Sequence, residues 1–395
     1  MTVQPTRRFG LVPMLPRDPA EPHRTASPLE LLFDLVFVVA VSVSSAALFD
    51  VESEGHLAEA ALGYLSVFFA IWWAWMGFTW FATSFDTDDW LYRVTTIIQM
   101  AGALVIAAGA KSGVLEHDFS LVVLGYVIMR VASISQWVRA GRTNPEFRGT
   151  TTWYAMGTGV LQVFWVLILV IPDSWVRPWF VTLVVLELLV PVMAKRQRPT
   201  PWHPHHVTER FGLFTIILLG ESLLASSNAI FVAVDGGDDP LPFISIAALS
   251  LVVIAAMWWL YFARSMADWI TTPQLALAFG YFHYVVFASA GAFSAGVEVA
   301  VAVEEGHIHL GDVMARATLA VPVSLFVLSV WWLALRPALS SARNRAVAAL
   351  GCVIAASVFV PFSLIVVAGA AAAIVVIVHT SPAAPVDSVA HVEIG

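Results

Sequence analysis

The run AALGYLSVFFAIWWAWMGFTWFA, residues 60–82, carries no charge over its whole length. A helix needs about 20 apolar residues to cross a hydrocarbon core of about 30 Å. This stretch is therefore read as a transmembrane helix, and it sets the scale for the rest of the chain. Runs of the same kind occupy 29–48, 93–110, 119–138, 153–171 and 176–194, and then 210–231, 242–263, 275–298 and 314–335. A final apolar stretch, 346–379, is too long for one comfortable span, and Pro361 near its middle suggests two. The expected fold is an all-α integral membrane protein of about twelve transmembrane helices. Eleven is the alternative if the last stretch is one kinked helix.

Composition agrees. Of 395 residues, 59% are hydrophobic and 12% charged, against roughly 25% charged in an ordinary soluble domain. That excludes a soluble globular protein, and so much apolar surface excludes a disordered chain. No basic patch with interleaved aromatics marks a nucleic-acid binder. One cysteine, Cys352, excludes internal disulfides and multi-thiolate metal sites.

The charges are sorted by side. With the N-terminus in the cytoplasm, 16 of the 20 basic residues fall in cytoplasmic segments, as the positive-inside rule requires. Acids such as Asp50, Glu52, Glu54, Asp239, Glu304 and Glu305 fall outside. The expected location is the cytoplasmic membrane, multi-pass. The expected organisation is a cytoplasmic tail 1–28, a first six-helix half 29–194, a basic linker 195–209, a second half 210–380 and a tail 381–395. The tail 1–28 lacks the apolar core of a signal peptide and reads as soluble. The halves share weak likenesses. Phe33 answers to Phe211, and Phe81-Ala82-Thr83-Ser84 to Phe262-Ala263-Arg264-Ser265, at nearly constant offset. Six spans per half would give two repeats of the same orientation.

Ionisable residues inside spans are costly and therefore informative. Glu30 and Asp34 are one turn apart and share a face, with a helix-stabilising role as the plainer reading of Glu30. Glu221 lies eleven residues after Arg210, about 16 Å deep, and Arg130 is similarly deep in the fourth span. Glu187 and His283 lie about 12–13 Å inside theirs. An internal ion pair of Arg130 with Glu221, or of Arg130 with Glu187, would satisfy both charges. The expected small-solute, ion or proton site is Asp34, Arg130, Glu221, His283, Glu187 and Arg93. A weaker pattern, Asp86, Asp88 and Asp89 with Arg93, has the residue types for a divalent metal and a phosphate; a solvated turn with an aspartate capping the next helix is its plainer reading. Trp202-His203-Pro204-His205-His206 reads as a solvated loop. The tryptophans read as interfacial belts and span packing. No P-loop, GxGxxG, GxSxG or HExxH motif is present, so no cofactor is assigned. No lysine lies deep in a span, which argues against a retinal Schiff base.

Several of these stretches together resemble one family. Glu30-Leu-Leu-Phe-Asp34-Leu-Val-Phe-Val-Val-Ala is similar to the opening motif of the bacterial low temperature requirement protein A family. Phe85-Asp-Thr-Asp-Asp-Trp-Leu-Tyr-Arg93, Glu209-Arg-Phe-Gly-Leu-Phe-Thr-Ile-Ile-Leu-Leu-Gly-Glu221-Ser222, Trp258-Trp-Leu-Tyr-Phe262 and Gly280-Tyr-Phe-His283-Tyr284, with Glu298 downstream, resemble its later segments. The family often has an acid where this chain has Ala263. The resemblance implies a multi-spanning membrane protein named for a cold-growth phenotype rather than a reaction. It implies Asp34, Arg93, Glu221 and His283 as the motif-bearing polar positions.

Three functions follow as expectations. The first is a secondary transporter or ion pathway with an intramembrane carboxylate and arginine site. The second is a structural or sensory membrane protein. The third is a membrane-embedded enzyme acting on a lipid phosphate. The lipid bilayer is the expected partner, a small solute or ion fits the first reading, nucleic acid is excluded, and an oligomer is compatible with all three.

Overall fold

The computed structural model describes residues 10–18, 21, 25–85, 87–116, 118–235 and 239–381. Among them are twelve α-helices and no strand. They are α1 (Pro28–Ser53), α2 (Leu57–Phe85), α3 (Trp90–Leu115), α4 (Ser120–Thr143), α5 (Arg148–Leu167) and α6 (Asp173–Gln197). Then come α7 (Pro204–Asp235), α8 (Leu241–Phe262), α9 (Pro273–Glu304), α10 (Asp312–Val330), α11 (Ser341–Ala356) and α12 (Ser363–His379). Ten helical segments are long and apolar enough to cross a membrane; α5 is not among them, and α12 is shorter.

Local chemistry sets the helix ends. Ser27-Pro28-Leu29-Glu30 forms a capping box: Glu30 Oε2 accepts from the Ser27 amide at 2.8 Å, and the Ser27 hydroxyl accepts from the Glu30 amide at 3.3 Å. Proline in the first turn suits α1, α7 and α9, because its missing N–H has no helical partner there anyway. Asp89 caps α3 by accepting from the Tyr92 amide at 2.9 Å. The last apolar stretch is two helices. Val360 is extended (φ −117°, ψ 144°), as the residue before a proline must be. The turn is fastened where the Ser357 and Ser363 hydroxyls meet at 2.9 Å.

The burial pattern inverts that of a soluble helix. On α1, Leu31, Leu32, Leu35, Val39 and Val43 are exposed, while Glu30, Phe33, Asp34 and Phe37 are buried. Carbon faces outward, as lipid tails require, and the polar groups face each other inside. Close helix approach relies on small residues. A Cβ on Gly125 of α4 would lie 2.5 Å from the Gly102 carbonyl oxygen of α3. One on Gly296 of α9 would lie 2.4 Å from the Thr318 carbonyl oxygen of α10.

The chain forms two compact units. The first holds the described residues up to Ala47 with Gly63–Phe214, and the second Leu48–Leu62 with the described residues from Thr215. In the first, α3, α4, α5 and α6 pack in sequential pairs. In the second, α10 is central, packing on α8, α9, α11 and α12.

Candidate functional site

The first unit buries two charge clusters. One joins α1 to the start of α7. Pro204 begins α7, so His206 and Arg210 fall one turn apart on one face, opposite the Glu30 and Asp34 face of α1. Arg210 Nε donates to Asp34 Oδ2 at 3.0 Å and Nη2 to Asp34 Oδ1 at 2.6 Å. Its Nη1 donates to Glu30 Oε1 at 2.8 Å. A planar guanidinium thus binds one carboxylate with two nitrogens and still reaches a second, which an ammonium could not match. Trp75 Nε1 donates to Asp34 Oδ1 at 2.6 Å. His206 Nε2 lies 3.1 Å from Glu30 Oε1, and its Nδ1 lies 2.7 Å from the Thr83 hydroxyl. Asp34, Arg210 and His206 are fully buried, and Glu30 is 1% exposed. The wall is aromatic, with Phe33 stacked on Phe78 and Phe37, and Trp75 against Phe211 and Phe214.

The formal charges do not cancel. With both acids ionised, two negative charges would face one guanidinium. A neutral imidazole leaves one negative charge, and a proton on His206 brings the group to zero.

The second cluster joins α2, α4, α5 and α6. Arg130 Nη2 donates to Glu187 Oε2 at 3.2 Å and to the Tyr126 hydroxyl. Trp73 Nε1 donates to Glu187 Oε2 at 2.8 Å, and Trp165 Nε1 to Oε1 at 3.1 Å. Beside it is a small apolar cavity of about 20 Å³, lined by Phe69, Phe119, Tyr126, Trp165 and Phe180 among others. Helix α2 connects the clusters. Trp73 and Trp75, two residues apart and so on opposing faces, each hold one of the buried acids.

The expected site residues therefore fall into separate groups. Asp34 binds Arg210, and Arg130 binds Glu187 rather than Glu221. Glu221 and His283 belong to the second unit. There Glu221 is half-buried. His283 is fully buried, its Nδ1 2.7 Å from the Phe279 carbonyl and its Nε2 2.9 Å from the Tyr261 hydroxyl. A carbonyl only accepts, so Nδ1 carries the hydrogen and Nε2 accepts from the tyrosine; this histidine is satisfied while neutral.

Arg93 is at the first turn of α3, where its Nε and Nη2 grip exposed Asp88 at 2.7 and 2.8 Å. Asp89 is bound by Arg139 and by the Val12 amide at 3.1 Å. Burial pushes the Asp89 carboxyl up, but the Arg139, Tyr92 and Val12 hydrogen bonds outweigh it and hold it below the ordinary aspartate value. Asp86 lies outside the described residues. Among the described residues, no three His, Cys, Asp or Glu side chains are grouped to hold a metal.

Sequence reasoning missed Arg210, which looked like a flanking base, and His206, which looked like part of a solvated loop. It also read the tryptophans as interfacial belts and span packing, and so missed Trp73, Trp75 and Trp165 as hydrogen-bond donors to buried acids. One signal was available: His206 and Arg210 repeat the i, i+4 spacing of Glu30 and Asp34.

These features define a multi-spanning α-helical membrane protein whose charges are paired inside the helix bundle. A family model described as bacterial low temperature requirement A protein (LtrA) matches residues 25–380. The chain belongs to that family. It is also 30% identical over 264 residues to an uncharacterized protein of Rhizobium meliloti (strain 1021), covering 62% of this chain and 61% of that relative's length. No solved structure matches.

Proposed function

We propose that this protein is a proton-linked secondary transporter or ion pathway of the bacterial cytoplasmic membrane, with its N-terminus in the cytoplasm. The site is Glu30, Asp34, Arg210 and His206, and the observation that carries the reading is their unequal charge. Two buried carboxylates share one guanidinium, and a proton or a cation that binds there would balance the second acid. His206 beside Glu30 is the group that takes the proton, and Thr83 holds its other nitrogen. Asp34 keeps Arg210 in place, and Trp75 keeps Asp34 in place. Arg130 and Glu187 form a second, neutral pair tied to the same helix. Glu221 is a further acid of the second half, in a chain of two six-span halves of the same orientation. His283 serves packing.

The test is flux in proteoliposomes. Wild-type protein under an imposed pH gradient, with potential clamped, should carry protons or exchange them for sodium or potassium. Asp34→Asn and His206→Gln should each lower that flux at least tenfold, and Glu221→Gln should lower it too. Wild-type flux no higher than in protein-free liposomes would overturn the reading. The structural or sensory function would then stand, which the complete pairing of Arg210 with Asp34 and Glu30 favours. A lipid-phosphate enzyme site is disfavoured, since Asp88 and Asp89 are already bound by Arg93 and Arg139.

A further inference from the structure

Residues 10–17 precede the first helix but are not free of the helices. They form neither helix nor strand. The Val12 amide donates to Asp89 Oδ2 at 3.1 Å, and the Val12 carbonyl accepts from Arg139 Nη2 at 2.7 Å. The Met14 carbonyl accepts from the Thr143 hydroxyl at 3.0 Å and from Asn144 Nδ2 at 2.7 Å. The Arg17 amide donates to the Ser84 carbonyl at 3.0 Å. Met14 is fully buried, while Leu11 and Leu15 on either side are 59% and 61% exposed. This is a peptide strap across the ends of α2, α3 and α4, anchored by one side chain.

The strap also leads to the charged site. Ser84, which holds Arg17, is the neighbour of Thr83, which holds His206. The Ser84 hydroxyl lies 2.9 Å from the Pro201 carbonyl, to which it can donate, and 3.1 Å from the Thr200 hydroxyl, which fastens the segment leading into α7. The last turn of α2 thus carries the strap, the α6–α7 connection and the imidazole together. Five hydrogen bonds and one buried side chain oppose the entropy of ordering eight residues. Those are effects of similar size, so held and released forms lie close in free energy.

We infer that residues 10–17 are a releasable latch that shields the His206 and Glu30 end of the first unit from water. For the process being gated, the inference rests on the transport reading above; the shielding itself does not depend on it. The test measures cysteine accessibility in the full-length protein in detergent, with Cys352→Ser as background. A water-soluble maleimide is the probe. Met14→Cys should label at least tenfold more slowly than Leu15→Cys. Two substitutions release the strap independently: Met14→Glu puts a carboxylate in the buried position, and Val12→Pro removes the amide donated to Asp89. Each should speed labelling of Thr83→Cys and of His206→Cys at least tenfold, with Leu15→Cys unchanged. Thr83→Cys is nearly isosteric, so it reads the shielding even if His206→Cys folds poorly. Equal rates for Met14→Cys and Leu15→Cys, or unchanged Thr83→Cys labelling on release, would overturn the latch. Wild-type proteoliposomes without flux would overturn the transport reading and leave these rates as they are.

Discussion

Replacing Arg210 with methionine removes three charge-assisted hydrogen bonds at once, two from Asp34 and one from Glu30. Asp34 keeps Trp75, and Glu30 keeps the Ser27 amide and His206. Neither acid keeps a permanent counter-charge, and neither reaches water. Breaking a buried pair by removing one partner costs about 3–5 kcal/mol. At about 1.4 kcal/mol per factor of ten, that is roughly two to four orders of magnitude in the folded-to-unfolded ratio. If the first unit, about 200 residues, unfolds cooperatively, 1 kcal/mol moves its Tm by about 2–4 °C, so Arg210→Met should lower it by about 6–20 °C. The assay is heating in detergent followed by size-exclusion chromatography of the soluble fraction. Glu30→Gln, Asp34→Asn and Arg210→Met together should recover most of the loss, because no buried ion is then left alone. An Arg210→Met protein melting within about 1 °C of wild type would refute the reasoning. So would a triple variant no better than the single.

Three further outcomes follow from other parts of the molecule. Arg130→Met alone should destabilise by about 3–5 kcal/mol, and Arg130→Met with Glu187→Leu should destabilise much less; equal melting of single and double variants would contradict the pairing. Gly125→Leu, at the point where α4 touches the Gly102 carbonyl of α3, should cost at least ~1–3 kcal/mol by overpacking, seen as a lower melting temperature or loss of the monodisperse peak. Because the Asp89 carboxyl is held below its ordinary value, its contribution is complete above about pH 4 and is lost as pH falls from there through the lowered folded value. The melting difference between wild type and Asp89→Asn should therefore be constant from pH 8 to about 5 and shrink below about pH 4; a constant difference across that range would refute it.

The single-turn spacing of Glu30 and Asp34 already placed both acids on one face of one span. It did not reveal their counter-charge, because Arg210 follows Asp34 by 176 residues and sits where a flanking base is expected. The same holds for Glu187. Depth alone matched Arg130 to Glu221 as well as to Glu187, and depth carries no information about which helices are neighbours. The strap was hidden differently. Residues 10–17 have no hydrophobic period, and their grip comes from backbone groups that every residue possesses.

Sequence by itself determined that this chain is built for a bilayer and roughly where its apolar helices run, and it offered Pro361 as a break in the last apolar stretch; one kinked helix stayed open there until the structure showed two. Those properties are local: apolar length against a fixed membrane thickness, and a proline acting on the residue before it. Tertiary structure alone decided who balances each buried charge and what Trp73, Trp75 and His206 do. Pairing in a low-dielectric interior depends on which helix faces pack together, and the residues that meet there are far apart along the chain.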